Sequence, residues 1–431
     1  MHLFFLVVFQ LLFFTSLFAQ NDGFYDENYL RFDDFVYSDH IKTVQLNRNG
    51  FDYSLPAIQL GSNEKLRLNF DDMNVGSMTY NYTFILCNSD WTPADLLPME
   101  YLDGMTEDYF NTNAASFNTT TSYTNYSVLI PSSNLILTKS GNYILKVYPE
   151  GDPDNPIFTR RMYVVENKVD IEAQARICSA PQYRNSHQEL SVNIKLNHYP
   201  MPNVYDNFSM HIQQNGRKDN MIVKTVPTAL SSDYLYFNQV NDILFDAGNE
   251  FRVFDIRSLK TYSSRISQIN YDAKGYHISL LTDGSRYRQE YLKYTDLNGG
   301  FAIINWDDPQ LSSQIESDYA WITFSLQPDS IMQNGSVYLM GAFTDWNLLN
   351  KYKLSYNSAA KLYNASLLLK QGYYDYHYVY VPNNSNRGSV IPLEGNHSET
   401  INNYTIFVYY RDQGDFYDKL IGLKTIVSTY D

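Results

Sequence analysis

The sequence predicts an all-β protein made of tandem immunoglobulin-like β-sandwiches. Short runs of alternating apolar and polar residues recur along the chain, separated by turn-forming clusters. No window of helical length carries an apolar stripe at the 3.6-residue period with caps. Tyr (39) and Phe (25), both favoured in strands, are abundant.

Residues 1–19 read as a secretory signal: 3–14 is apolar except for Gln10, and Ala19 precedes an expected cut at Gln20. The n-region has no Lys or Arg, only His2, so an uncleaved anchor is the other reading. The run is short for a membrane span, which favours cleavage. No Cys follows the cut to take a lipid and no second long apolar run appears, so no direct membrane insertion is expected. The remaining chain, roughly 410 residues, is too long for one core and suits two to four domains. A net charge of −15 argues against nucleic acid and against adsorption to anionic lipid. Cys87 and Cys178 either pair or remain separate buried thiols; Cys178 lies just past the first domain, which favours separate thiols.

The first unit is expected over 20–167. Residues 21–39 are acidic and aromatic without a period, and read as an arm that is mobile or docks on a neighbour. Strands follow at 41–46 and 65–70, the latter with Leu66, Leu68 and Phe70 inward. Tyr80, Tyr82, Phe84 and Leu86 mark the inward side of the next strand, which breaks at Asn88-Ser89-Asp90. A loop containing Trp91, Pro93, Leu96, Leu97, Pro98 and Tyr101 runs to Gly104, apolar enough to fold back on its own domain. Strands at 124–130, 143–148 and 159–166 complete about seven, as in an immunoglobulin-like sandwich.

The order C-x-x-D-W-x-P from Cys87, then Glu100-Tyr101-Leu102-Asp103-Gly104, Ser122-Tyr123-Thr124-Asn125-Tyr126, Gly141-Asn142-Tyr143 and Thr159-Arg160-Arg161 resembles the first domain of the type IX secretion system plug proteins of Bacteroidota. The resemblance runs from Cys87 to Val165. It implies a non-enzymatic periplasmic plug at the inner face of the outer membrane, monomeric by itself, whose partner is the large outer-membrane β-barrel subunit of the translocon. The expected contact residues are the exposed part of the loop, with Trp91, Leu96, Leu97 and Tyr101 as candidates; for Trp91 a place at the edge of the first core is the preferred reading.

A middle β domain is expected over 168–310, with its clearest alternation at 189–196. A C-terminal unit is expected over 311–431. There Gly341-Ala342-Phe343-Thr344-Asp345-Trp346 resembles a motif of early-set immunoglobulin-like domains of glycogen-binding and starch-enzyme proteins. This supports an alternative function, carbohydrate binding with Trp346 stacking on a sugar; the competing reading is that Phe343 and Trp346 pack the turn. None of the sequence patterns of a catalytic triad, a P-loop, a dinucleotide fold or a zinc site is present, and no cofactor, metal or catalytic residue is expected.

Overall fold

The computed structural model describes residues 30–74, 76–307, 312–385 and 387–428. The expected signal at 1–19 and the start of the 21–39 arm lie outside the described residues. Nearly all regular structure is strand, and each α-helix is a single turn of four residues, such as Pro98–Tyr101.

The first sandwich packs two sheets. One orders Ile41–Arg48, Leu66–Asp72, Thr124–Ile130 and Thr112–Ala115. The other runs Phe35–Val36, Phe158–Val165, Gly141–Pro149, Tyr80–Cys87 and Asp108–Tyr109, with Ala57–Gln59 parallel to Phe158–Val165. The expected inward residues Leu66, Leu68, Phe70, Tyr80, Tyr82, Phe84 and Leu86 are all buried. Phe70 is the centre of this core: it stacks on Tyr126 at 5.0 Å and meets Phe158 edge-on at 5.0 Å and Phe110 at 5.2 Å. The buried tyrosines keep their hydroxyls satisfied, as Tyr80 does on Asp72 (2.7 Å) and Tyr143 on the Lys139 carbonyl (2.8 Å). Residues 30–39 are docked: Phe35–Val36 adds a strand, and Arg161 Nη2 donates to the Phe32 carbonyl at 2.8 Å.

The second and third sandwiches do not follow the expected boundary at 310, which itself falls outside the described residues. The second core is built from Asp170–Ile177, His187–Lys195, Phe208–Gln214 and Tyr234–Phe237 together with the last strands of the chain, Asn403–Tyr410 and Lys419–Val427. Asn403–Tyr410 pairs with Phe208–Gln214 over seven residues, from Phe208↔Tyr410 to Gln214↔Tyr404. Between them the chain makes the third sandwich, from Arg252–Asp255 to Gly372–Pro382, around Phe254, Phe324, Tyr374 and Tyr376. Arg252–Asp255, Gly275–Leu280 and Phe301–Ile303, inside the expected middle domain, belong to this third core, and Asn403–Tyr410, inside the expected C-terminal unit, belongs to the second. Alternation shows that a strand has a buried face but carries no information about which distant strand it pairs with.

The first and third sandwiches are joined by a buried ion pair. Lys370 Nζ lies 2.5 Å from Asp71 Oδ2, and neither side chain is open to solvent. Asp71 also accepts from Tyr319 Oη at 2.6 Å and Asn125 Nδ2 at 2.8 Å. Beside it, Asp318 accepts from the backbone N–H of Thr120 (2.7 Å) and Thr121 (3.0 Å).

A chain ended at residue 402 removes Tyr404, Ile406, Val408 and Tyr410 from the second core. It should lose the second sandwich, read as loss of dispersed methyl NMR signals and of the cooperative melt. Lys370→Ala leaves Asp71 buried without its cation and should cost about 3–5 kcal/mol in denaturant unfolding. The double change Asp71→Asn, Lys370→Met should cost less than Lys370→Ala alone, since it strands no charge.

Candidate functional site

The 88–104 loop begins as a tight turn. Trp91 N–H donates to the Asn88 carbonyl at 3.0 Å, and Asp90 Oδ1 accepts from the Thr92 N–H at 2.9 Å. This turn puts Trp91 at φ 68°, a conformation bulky residues rarely take, so surrounding contacts must hold it. The Arg161 guanidinium lies 4.2 Å from the centre of the indole, and Tyr163 meets it edge-on at 5.5 Å. Trp91 is 8% exposed and belongs to a cluster with Cys87, Tyr163, Phe407, Tyr409 and Leu420, which spans the first and second sandwiches.

Polar contacts surround that cluster. Ser89 N–H and Oγ donate to Asp418 Oδ2 at 2.9 and 2.8 Å. Arg411 Nη2 donates to Asn88 Oδ1 at 2.9 Å, and Tyr409 Oη to Asn142 Oδ1 at 2.8 Å. The Cys-x-x-Asp-Trp segment therefore fastens two sandwiches together. Trp91 is not available as a free contact residue, and neither is Tyr101, which is 4% exposed with its hydroxyl on the Phe84 carbonyl. Leu96 is half-buried against the first core.

Of the four expected contact residues, Leu97 alone is well exposed, at 63%. It opens the short helix Pro98–Tyr101, with its N–H held by Glu100 Oε2 at 2.7 Å. The structure adds neighbours that sequence reasoning did not single out. Met99 and Met105 are exposed, and Leu102–Gly104 pairs with Leu135–Leu137, placing exposed Ile136 opposite Asp103. Gly104 has φ 89°, and a Cβ there would come within 2.3 Å of the Asn134 carbonyl oxygen, so only glycine lets this small sheet close. Leu97, Met99, Met105 and Ile136 are thus exposed apolar side chains on the loop and its small sheet, on the first sandwich. Ile136 sits in a three-residue strand, too short for periodicity to mark.

Trp346 is wedged at the seam of the second and third sandwiches. It follows Asp345 in the left-handed region (φ 54° and 59°), meets Phe251 edge-on at 6.0 Å and lies against Gly216 and Gly299. A Cβ at Gly299 would fall 2.3 Å from its ring. The G-x-F-x-x-W turn therefore packs at the seam, where the half-buried indole also lines a cavity of about 330 Å³ with Lys218, Asn298 and Asp345.

The buried charges are structural in their bonding. Glu394, fully buried, is held 3.0 Å from Arg252 Nε and 2.8 Å from Arg286 Nε, and accepts from Tyr378 N–H at 2.9 Å. Burial alone pushes its carboxyl up, but the two guanidinium groups outweigh it and hold the group well below the usual carboxylate range. Asp375, pushed up to about 8 by burial and then by the charge of Asp296, accepts the Leu297 and Gly299 N–H groups and so holds the turn on which Trp346 rests. Cys87 and Cys178 are both free and buried. Among the described residues no group of three or more His, Cys, Asp or Glu is placed to hold a metal ion, and no helix is long and apolar enough to cross a membrane.

Comparison with known proteins adds two findings. The family described as the type 9 secretion system plug protein 1st domain matches residues 41–166. A crystal structure of a hypothetical protein from Parabacteroides merdae ATCC 43184 is similar over 93% of this chain and all of its own, at 35% identity and a TM-score of 0.89. No curated protein matches the chain.

Acid should loosen the third sandwich. The Glu394 carboxyl titrates lower in the folded protein than its unfolded value of 4.5, so its contribution is complete above pH 4.5 and is lost as pH falls. His377, held neutral down to about 3 by burial against an unfolded 6.5, acts in the same direction as pH falls below 6.5. Asp375, whose carboxyl is raised in the folded protein, works in the opposite direction between about 8 and 3.8 and offsets His377, so the melting temperature should fall clearly only below pH 4.5, where the Glu394 contribution is lost. Glu394→Gln should be destabilised at pH 7 and should lose less than the parent on going below pH 4.5.

Proposed function

We propose a function from one premise: the chain belongs to the type 9 secretion system plug protein family. On this reading it is a non-enzymatic periplasmic protein at the inner face of the outer membrane. It caps the periplasmic opening of the translocon channel while no cargo is engaged. Its partner is the large outer-membrane β-barrel of that channel, and alone it is a monomer.

The match over 41–166 carries this reading. The way the sandwiches are fastened supports it, because a cap must keep its shape. Asp71–Lys370 ties the first to the third, and the Trp91 cluster ties the first to the second. Docking by surface alone suits an association that must be reversible, since release is then a matter of competing for one patch. The set of Leu97, Met99, Met105 and Ile136 is the contact surface we assign. It is apolar, exposed and carried by the domain that the family match covers. The carbohydrate alternative rests on the Trp346 motif alone, and that half-buried ring packs against Gly216, Gly299 and Phe251 at the seam.

Affinity purification from the native envelope should recover a very large outer-membrane barrel as main partner. A strain lacking this protein should admit large hydrophilic dyes, and the leak should vanish when the barrel is deleted too. Leu97→Asp combined with Met99→Asp should weaken recovery of the barrel by about tenfold, a hot-spot-sized effect of ~1.4 kcal/mol, with the melting temperature unchanged. Absence of any co-purifying barrel together with unchanged permeability would show that the capping role is wrong.

A further inference from the structure

The turn 296–299 is held by two carboxylates at once. Asp296 accepts from the N–H of Phe251 at 2.6 Å and from that of Asn298 at 2.8 Å. Asp375 reaches the same turn from the strand Gly372–Pro382, where its Oδ2 accepts the N–H of Leu297 and that of Gly299 at 3.2 Å. Alternate residues of one turn therefore hang on two different acids. Asp375 is out of solvent, and no donor reaches its other oxygen, Oδ1.

Two carboxylates on one turn need a cation or a proton between them. Among the described residues no Lys, Arg or His ion-pairs with either. Arg286, whose charge acts on Asp296, is committed to Glu394 at 2.8 Å, to Tyr294 Oη and to the Glu250 carbonyl. Arg257 shares the surroundings of Tyr373 with Asp375 but is held by Asp255 at 2.9 Å. Asp345, in the turn that carries Trp346, faces Arg160 at 3.3 Å. Glu250 in the field of Asp296, and Tyr53 and Tyr373 in that of Asp375, bring no positive charge. His377, two residues along the strand, is kept neutral by burial. The pair therefore holds one proton, and Asp375, pushed up to about 8, carries it.

The turn is coupled directly to Trp346. The Gly299 carbonyl accepts the N–H of Ala342, at the start of the G-x-F-x-x-W turn, at 2.8 Å. Gly299 packs so closely that a Cβ would fall 2.3 Å from the indole. The indole also meets Phe251, whose N–H Asp296 holds, and Gly216 of the second sandwich.

We propose that the turn 296–299 is a proton-operated latch on the seam of the second and third sandwiches. With one proton on the Asp296–Asp375 pair the turn is closed on Trp346. Release of that proton to solvent puts two like charges on one turn, which loosens it and frees the indole. The latch is independent of the capping role.

Tryptophan emission of the purified full chain tests it, followed from about pH 6 to about pH 9.5. Emission should shift to the red and become more open to acrylamide quenching, with a midpoint of about 8. The chain has 4 Trp, so Trp346→Phe identifies the source and should abolish the shift. Asp375→Asn keeps an acceptor oxygen for the turn but cannot ionise, and should abolish it too. Asp296→Asn removes the like charge and should move the midpoint to lower pH. Asp296 is half-buried, so its variant gives the answer even where Asp375→Asn fails to fold. Melting temperature is a second readout. A carboxyl raised in the folded state loses stability as pH rises from 3.8 to about 8, so Asp375→Asn should gain on the parent over that span and hold its gain above it. No shift in the parent, a shift that survives Trp346→Phe or Asp375→Asn, or a midpoint unmoved by Asp296→Asn would overturn the proposal.

Discussion

The strand Asn403–Tyr410 is buried on both faces, and the arrangement of the whole molecule depends on it. Tyr404, Ile406, Val408 and Tyr410 fill the second core, while Phe407 and Tyr409 pack on Trp91 and Tyr163 of the first sandwich. A strand with two buried faces can occupy only one place in one register, because a shift by a single residue would exchange the two sets of side chains. Its return to the second sandwich makes the third an insertion, held at both ends.

Charge then fixes how the sandwiches sit on one another. Asp71–Lys370, between the first and third sandwiches, and the Arg252–Glu394–Arg286 group, within the third, are largely out of solvent, where ion pairs cost much of what they return. Their contribution is selective: a wrong docking geometry strands a charge, whereas a misplaced leucine loses only area. Asp71 meets this requirement with a cation, a tyrosine hydroxyl and an amide, drawn from two sandwiches. The acidic N-terminal segment adds to it, with Asp33 and Asp34 meeting Lys218 of the second sandwich.

These ties explain why the two tryptophan motifs are internal. Trp91 and Trp346 each sit in a left-handed turn at a seam, where large rings fill the irregular space between curved sheets. On the first sandwich the apolar side chains of Leu97, Met99, Met105 and Ile136 are left exposed.

The sequence by itself determined the local structure. Alternation placed Leu66, Leu68 and Phe70, and Tyr80, Tyr82, Phe84 and Leu86, on inward faces, because side chains of a strand point alternately to its two sides whatever lies beyond. The ordered motif from Cys87 to Val165 identified the family of the first domain, since such residues are tied to one particular loop and its packing. Tertiary structure alone decided which strands share a core. The alternation in Asn403–Tyr410 reads the same whether its partner is Phe208–Gln214 or a strand near it in the chain. It also decided exposure within the loop: Trp91 and Tyr101 became interior and Leu97 exterior, although all three are equally apolar in sequence. Tyr101 packs on Tyr143 in its own core, whereas the burial of Trp91 is set by what the second sandwich covers, and those covering residues lie more than 300 positions away, from Phe407 to Asp418, where no local pattern reaches.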